Sequence, residues 1–400
     1  MGKELVYEYK DKFLISSKKI DKESLKSLLD YRIKIDSFVL RNYFLENIEE
    51  DIINIEGSYD LIESFKKIDE RVVKVDIIER LGNIKYIGKS EETGNIVFNI
   101  DGKYMAECIY NARNDFFQGL FEIDKFLNFC FKTRLDDLIS YNIKYLMEEF
   151  PDKERQYRLI KERDRWCIRS VTSSKKYKNY DNKLVLYMSL YILNKLNLDK
   201  NIEFNVSKYY ISDSNMRLFF EEKKEYNLDE NNVLKFGLLI KNSEIKNESF
   251  TAYLYYKITN KSNKDEGFIG IHDFKEKLFS VKHNISESSL ITKFNNILNI
   301  EKYKDEVLHY AKDIINADEL TDIILDRIIN EIVKVKNKFA SNTKDEIKRL
   351  KDYEFAERSI KLMDALNKIN SLELDIDEKI YLQYIYDKAI TDTLRGKRRK

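Results

Sequence analysis

Three consecutive stretches decide the fold: WCIRSVTS (166–173), NKLVLYMSLYILNKLNL (182–198), and the runs NIEFNVSKYYIS, NMRLFFEEKK, NVLKFGLLIKNS and SFTAYLYYKIT between residues 201 and 259. The first has the β-branched and aromatic content of a strand. The second is too long for a typical strand and apolar on every side, which predicts a buried helix. The last four are β-type runs broken by polar turns. A strand, a helix and an antiparallel meander with a helix to follow form an α+β layer with a helix on one sheet face.

Working outward, residues 4–16 read as a strand, and Asp21 is placed to cap a helix carrying Leu25, Leu28, Leu29, Ile33, Phe38 and Leu40. Residues 71–107 hold short β-rich runs punctuated by Gly82, Gly88, Gly94 and Gly102. Helical periodicity returns over 120–149 and stops before Pro151, because proline disfavours helix at the residue before it. After about residue 286 the pattern is helical. Leu320, Ile323, Ile324, Ile328, Ile332, Val335 and Phe339 form one stripe, and 344–370 and 377–394 form two more amphipathic helices. The expected architecture is α+β: a central antiparallel sheet with packed helices (151–300), preceded by a mixed α/β N-terminal unit (1–150) and followed by an α-helical C-terminal region (301–400).

Hydrophobic residues make up 43% of the 400 and charged residues 35%, with no apolar run long enough to span a bilayer. The start, MGKELVYEYKDKF, lacks the apolar core of a signal peptide. Cys108, Cys130 and Cys167 are odd in number and far apart, which argues for a reducing compartment and against disulfides or a zinc site. A cytoplasmic protein is expected. One proline and heavy use of Lys, Asn, Ile and Tyr reflect AT-rich codons, as in a low-GC bacterium or one of its mobile elements.

Charge is unevenly placed. Residues 153–180 hold ten Lys/Arg against three acids, a net of +7, and Arg395–Lys400 adds +5. The whole chain nets +1, so everything outside these two blocks nets −11. An acidic body with basic patches orients a polyanion. Cations interleaved with aromatic rings suit single-stranded nucleic acid, with DNA favoured. The candidate phosphate contacts are Arg155, Arg158, Arg163, Arg165, Arg169, Lys175, Lys176 and Lys178; Trp166 and Tyr177, or Tyr180, are the candidate stacking faces. The competing structural reading is a solvated helix over 153–164 with a Glu154–Arg158 pair, and Trp166 in the core.

Other constellations are weaker. Asn242-Ser243-Glu244 suits a turn that holds a strand end or receives a ligand. His283 beside Lys282 could meet a phosphate or carry a proton near neutral pH. Asp213 with Glu221-Glu222-Lys223 matches the Asp…Glu-x-Lys spacing of Mg²⁺-dependent nucleases, a match expected by chance in a chain this rich in Glu and Lys. The three histidines, His272, His283 and His309, lack the spacing of a helical metal site. GxxxxGK[ST], G-x-G-x-x-G and G-x-S-x-G are all absent. The chain is therefore read as non-enzymatic and without a cofactor.

From about 155 to 300 the motifs resemble the DUF932 family of phage- and plasmid-like proteins of unknown function. The likeness is carried by Trp166–Ser173, Tyr177–Asn182 (YKNYDN), Ser212–Phe219 (SDSNMRLF), Phe236–Glu244 (FGLLIKNSE) and Phe279–Asn284 (FSVKHN). The chain departs at Ile245-Lys246-Asn247, where the family has a glycine, and at Thr259-Asn260-Lys261, where it has Cys-x-Asn-Gly. The order of elements is also similar to the core of Rad52-like single-strand annealing proteins. The family likeness implies a mobile-element context and not a known reaction; with the basic segment, the expectation is a phage- or plasmid-derived protein that binds or anneals single-stranded DNA without ATP, as a homo-oligomer. The alternatives are a protein-interaction module that sequesters a host or defence protein, and a Mg²⁺-dependent nuclease.

Overall fold

Two sheets divide the strands. The computed structural model describes residues 4–262, 267–271, 278–317, 320–351 and 361–398. Strand β1 (Tyr7–Lys10) precedes helices α1 (Lys22–Lys26), α2 (Lys34–Asn42) and α3 (Ser58–Glu70). Asp21 caps α1 as expected, accepting the Ser24 N–H at 2.7 Å. The single helix predicted beyond it is broken in two, because a turn at Asp30 intervenes. The buried Asp36 carboxylate accepts the Asp30 N–H at 3.0 Å and pairs with Lys183 at 2.7 Å.

Next come β2 (Val73–Arg80), β3 (Ile84–Lys89), β4 (Ile96–Ile100), β5 (Tyr104–Cys108), α4 (Ala112–Phe121), α5 (Asp124–Thr133) and α6 (Asp136–Glu149). The basic segment then forms a hairpin, β6 (Glu154–Glu162) and β7 (Arg165–Thr172). The smaller sheet has the order β2-β6-β7-β5-β4-β3, with β5 and β7 parallel. Its outer face packs on α4–α6 around Phe98, Phe116, Ile139, Tyr157, Leu159 and Ile168.

Two expectations are corrected here. Residues 153–164 are not a helix: Tyr157 and Leu159 point to one core while Ile160 points to the other, a period of two that the charges between them mask. The boundary expected at 150/151 is also crossed. Pro151 does follow the end of α6, but β2 pairs with β6 from Val73↔Lys161 to Arg80↔Glu154, so the smaller sheet needs strands from both sides of the proline.

The remaining elements follow the predicted meander. Helix α7 (Asn182–Lys200) leads to β8 (Phe204–Ser212), β9 (Asn215–Glu222), β10 (Tyr226–Asn227), β11 (Asn232–Ser243), β12 (Phe250–Asn260), β13 (Gly267–Ile271) and β14 (Phe279–Val281). The larger sheet is antiparallel throughout, in the order β1-β8-β9-β11-β12-β13, with β10 on β11 and β14 on β12. Helix α7 packs on it and is buried from Leu184 to Leu193, as an all-round apolar helix must be. Helices α8 (Glu287–Phe294), α9 (Glu301–Ile315), α10 (Thr321–Lys334), α11 (Ser341–Arg349), α12 (Leu362–Asn370) and α13 (Ile376–Arg398) complete the chain. Ile324, Ile328 and Ile332 of the predicted stripe are buried, whereas Ile323 is exposed. Among the described residues no helix is long and apolar enough to cross a membrane.

Register in the larger sheet is pinned by two glycine–tyrosine pairs, Gly237 opposite Tyr255 and Gly270 opposite Tyr256. Each tyrosine ring lies over the glycine facing it, where a methyl group would overlap the ring. Gly237→Ala should destabilise the protein by about 1–3 kcal/mol, the usual cost of overpacking, read as a lower urea midpoint at unchanged slope. Gly237→Ala/Tyr255→Leu should recover part of the loss.

Candidate nucleic-acid interface

The β6–β7 hairpin carries the basic segment, and its geometry divides the predicted contact residues into three groups. Arg163, Arg165 and Trp166 lie at the tip. Arg158 and Arg169 lie in the middle. Arg155 lies at the far end, where β7 runs into a turn bearing Lys175, Lys176, Tyr177 and Lys178. At ~3.3 Å per residue the tip and the far end are about 25 Å apart, so the ten residues do not form one patch.

The tip is unsuited to the role expected of it. Trp166 packs edge-on against Tyr104 at 4.9 Å, with the Lys161 ammonium over its ring. Its half-buried ring packs against the smaller sheet's core, with one edge on Tyr104 and a lysine over a face. Arg163 and Arg165 are exposed, and Arg165 lies 3.9 Å from Glu107.

The middle is a second correction. Arg158 and Arg169, expected on phosphates, are each only 1% exposed. Arg158 donates from Nε to Asp76 at 3.0 Å, from Nη2 to Asp181 at 2.8 and 2.9 Å, and from Nη1 to the Glu244 carbonyl at 2.7 Å. A β-bulge explains Arg169. Arg158 faces Ser170 while Leu159 faces Ile168, so Arg169 is the extra residue, and its guanidinium reaches the Glu244 carboxylate. Lys74 of β2 lies 3.3 Å from the same carboxylate, and the Asn182 N–H, at the start of α7, donates to it at 2.9 Å. Burial alone would raise the Glu244 carboxyl, but Lys74, Arg169 and Arg158 outweigh it and hold it far below the usual carboxylate range. These arginines join the two sheets, and both are too deeply buried to meet a nucleic-acid strand.

The Asn242-Ser243-Glu244 motif therefore works structurally at this junction. Asn242 donates from Nδ2 to the Tyr180 carbonyl and to Asn182 Oδ1, both at 2.9 Å, and its Oδ1 lies 3.2 Å from His283 Nε2. His283 Nδ1 lies 3.1 Å from the Lys178 carbonyl, and its ring stacks on Tyr177 at 5.2 Å. Burial, aided by the Arg158 charge and opposed by the Lys178 carbonyl, lowers its pKa to about 4. His283 is thus a buried packing residue whose charged form burial disfavours. Tyr177 is committed as well: His283 stacks on its ring, Arg158 lies over it at 6.0 Å, and its hydroxyl donates to the Glu244 carbonyl at 2.9 Å. Tyr180 is buried.

The far end differs. There Arg155, Ser173, Lys176, Tyr177, Lys246 and Asn284 border a pocket of about 250 Å³, backed by Gly119 at the end of α4. Arg155 is half-buried, and its guanidinium donates to the carbonyls of Gly119 and Glu154. The Ser173 hydroxyl accepts the Lys176 N–H at 3.2 Å, which shapes the turn that presents Lys176. Lys175 and Lys176 are exposed, and Lys178 pairs with Glu287 at 3.3 Å. Lys246 was missed as a site residue, because its place in the β11–β12 turn gives no charge run to notice. It donates to Asp115 at 3.1 Å and to the Val171 carbonyl at 3.2 Å. Of the C-terminal basic block, the side chains from residue 396 onward lie outside the described residues.

The nuclease constellation is not assembled. Asp213 and Glu222 stand at opposite ends of β9, roughly 30 Å apart along the strand. Asp213 accepts the Leu5 N–H and the hydroxyls of Tyr110 and Ser214, while Glu222 pairs with Lys304 at 2.6 Å. Among the described residues no group of three or more His, Cys, Asp or Glu gathers to hold a metal ion. His272 lies outside the described residues.

No protein-family model matches this chain, and no curated protein or solved structure is significantly similar to it.

Glu244→Gln should cost about 3–5 kcal/mol in chemical denaturation, the usual penalty for orphaning a buried charge. Glu244→Gln/Arg169→Met should regain part of it. For His283 the folded pKa lies below the unfolded value of 6.5, so its stabilising effect is complete above pH 6.5 and is lost as pH falls toward 4. The slope is about 1.4 kcal/mol per pH unit inside that window. Denaturation midpoints between pH 7 and 5 should fall less steeply in His283→Gln than in the parent.

Proposed function

We propose that this protein binds single-stranded nucleic acid by its phosphate backbone, without ATP, at the far end of the β6–β7 hairpin. One observation carries the reading. Arg155 is held by backbone carbonyls, so its position is set without a carboxylate hydrogen bond among the described residues, although Glu79 is its cross-strand neighbour on β2. The same strand holds Arg158, whose acceptors include two carboxylates. Lys176 adds exposed charge beside Arg155, Lys175 precedes it in the same turn, and Lys246 adds a third ammonium across the pocket. Contacts of this kind are indifferent to base identity and strongly dependent on salt.

The half-buried rings of Trp166 and Tyr177 already pack on Tyr104 and His283, so affinity is assigned to phosphates and not to base stacking. The acidic remainder of the chain would keep a strand on this face. The motif likeness of residues 155–300 adds only a mobile-element context.

Fluorescence anisotropy with oligo-dT tests the reading. At three or four phosphate contacts, log K should fall with log salt at a slope of about −2 to −3. Arg155→Ala/Lys175→Ala/Lys176→Ala should weaken binding by at least about tenfold and flatten that slope, whereas Arg163→Ala/Arg165→Ala at the tip should leave both nearly unchanged. No binding at low salt, or equal binding by the triple variant, would sink the proposal.

A further inference from the structure

The pocket behind Arg155 has features that a simple electrostatic track does not need. It is a shallow, largely apolar hollow, and its border brings three cations from three parts of the fold to one place: Arg155 from β6, Lys176 from the turn after β7, and Lys246 from the β11–β12 turn. One carboxylate, Asp115 of α4, faces them through Lys246; its other oxygen accepts the Ser170 hydroxyl at 2.9 Å. Burial raises the Asp115 carboxyl, with Lys246 opposing. With Asp115 ionised these four groups net two positive charges, with Glu79 of β2 across the strand pair from Arg155.

We infer that this pocket binds a phosphate monoester, at the end of a strand or on a mononucleotide; the inference narrows the nucleic-acid reading above and rests on it. Charge decides between the two kinds of phosphate. An internal phosphodiester brings one negative charge, whereas a terminal phosphate brings about 1.5 to 2 at neutral pH and has three oxygens free to accept hydrogen bonds. Two net positive charges match the monoester.

Donor geometry agrees. Two of the five Arg155 N–H groups are used on the carbonyls of Gly119 and Glu154, which leaves three for an oxyanion and fixes the plane of the fork. Lys176 and Lys246 supply rotatable ammonium donors on other sides of the pocket. Since His283 stacks on Tyr177, the base would project out of the mouth and not stack within.

Calorimetric titration with dTMP and with thymidine, alongside anisotropy of oligo-dT carrying either a phosphate or a hydroxyl at its unlabelled end, tests the inference; both ends are tried in turn. The expected result is heat of binding for dTMP and none for thymidine, with a terminal phosphate raising oligonucleotide affinity at least about fivefold. Arg155→Ala should remove both effects. Lys176→Ala, at an exposed position that leaves the fold intact, should weaken both. An end preference alone assigns the pocket to strand termini, and dTMP binding alone assigns it to mononucleotides; each supports the inference if Arg155→Ala abolishes it. Oligo-dT binding with no end preference and no dTMP binding overturns the pocket and leaves the nucleic-acid reading standing. Binding of dTMP with no oligonucleotide binding does the reverse.

Discussion

Glu244 carries a negative charge to a place that water barely reaches, at the end of a strand of the larger sheet, and the smaller sheet brings Arg169 and Lys74 to meet it. Beside it Arg158 spans from Asp76 on β2 to Asp181 at the entrance of α7. Buried pairs of this kind add little net stability over apolar residues of equal volume, yet removing one partner is costly. Their effect is therefore discriminating. Any docking of the two sheets that slides Arg169 off Glu244 leaves two charges without solvent or partner. Apolar contacts such as Ile160 and Cys167 tolerate small shifts; this network does not.

The network also explains why a strongly basic segment can cross the middle of the protein. Of the cations in residues 153–180, those facing the larger sheet are matched by carboxylates from three other elements. Those at the two ends are not buried and need no such match. Alternation along β7 does the rest: Ile168 faces the core under α4, Cys167 and Arg169 on either side of it face the larger sheet, and the bulge then sets Ser170 rather than Arg169 opposite Arg158.

Much of the fold was legible in the sequence wherever periodicity alone decided it. Helix α7 and strands β8, β9, β11 and β12 follow from uninterrupted apolar runs, and β2–β5 from short β-rich runs separated by glycines. Strand β6 was not legible, because Arg158 occupies a core position and a charge at a buried site hides the alternation of its neighbours. The partners of that charge, Asp76, Asp181 and Glu244, come from 82, 23 and 86 residues away, and no local pattern records such distances. Helix α3 and strands β13 and β14 were passed over; β13 and β14 are short and closed by pairing with β12. For the candidate site, Arg155 and Lys176 were legible as members of a charge run. What separates them from Arg158 and Arg169 is the kind of acceptor each one meets, and only tertiary structure supplies that.

The clamp and the pocket are physically one construction. The Glu244 carbonyl accepts both Arg158 and the Tyr177 hydroxyl, so the network that docks the sheets also fixes the turn bearing Lys176. Two residues beyond Glu244, Lys246 takes a left-handed conformation and turns toward Asp115 on α4. Each cation around the pocket is thus set by a different side of the junction. Bringing them close costs electrostatic energy that Asp115 offsets only in part. That cost is tolerable because the elements carrying these cations are already fixed by the compensated charges beneath. An anion entering the pocket would find its donors placed in advance and would spend little of its binding energy on ordering them. Along one strand, then, the change from Arg158, clamped by carboxylates, to Arg155, held by backbone carbonyls, separates the charges that build the protein from those available to a ligand.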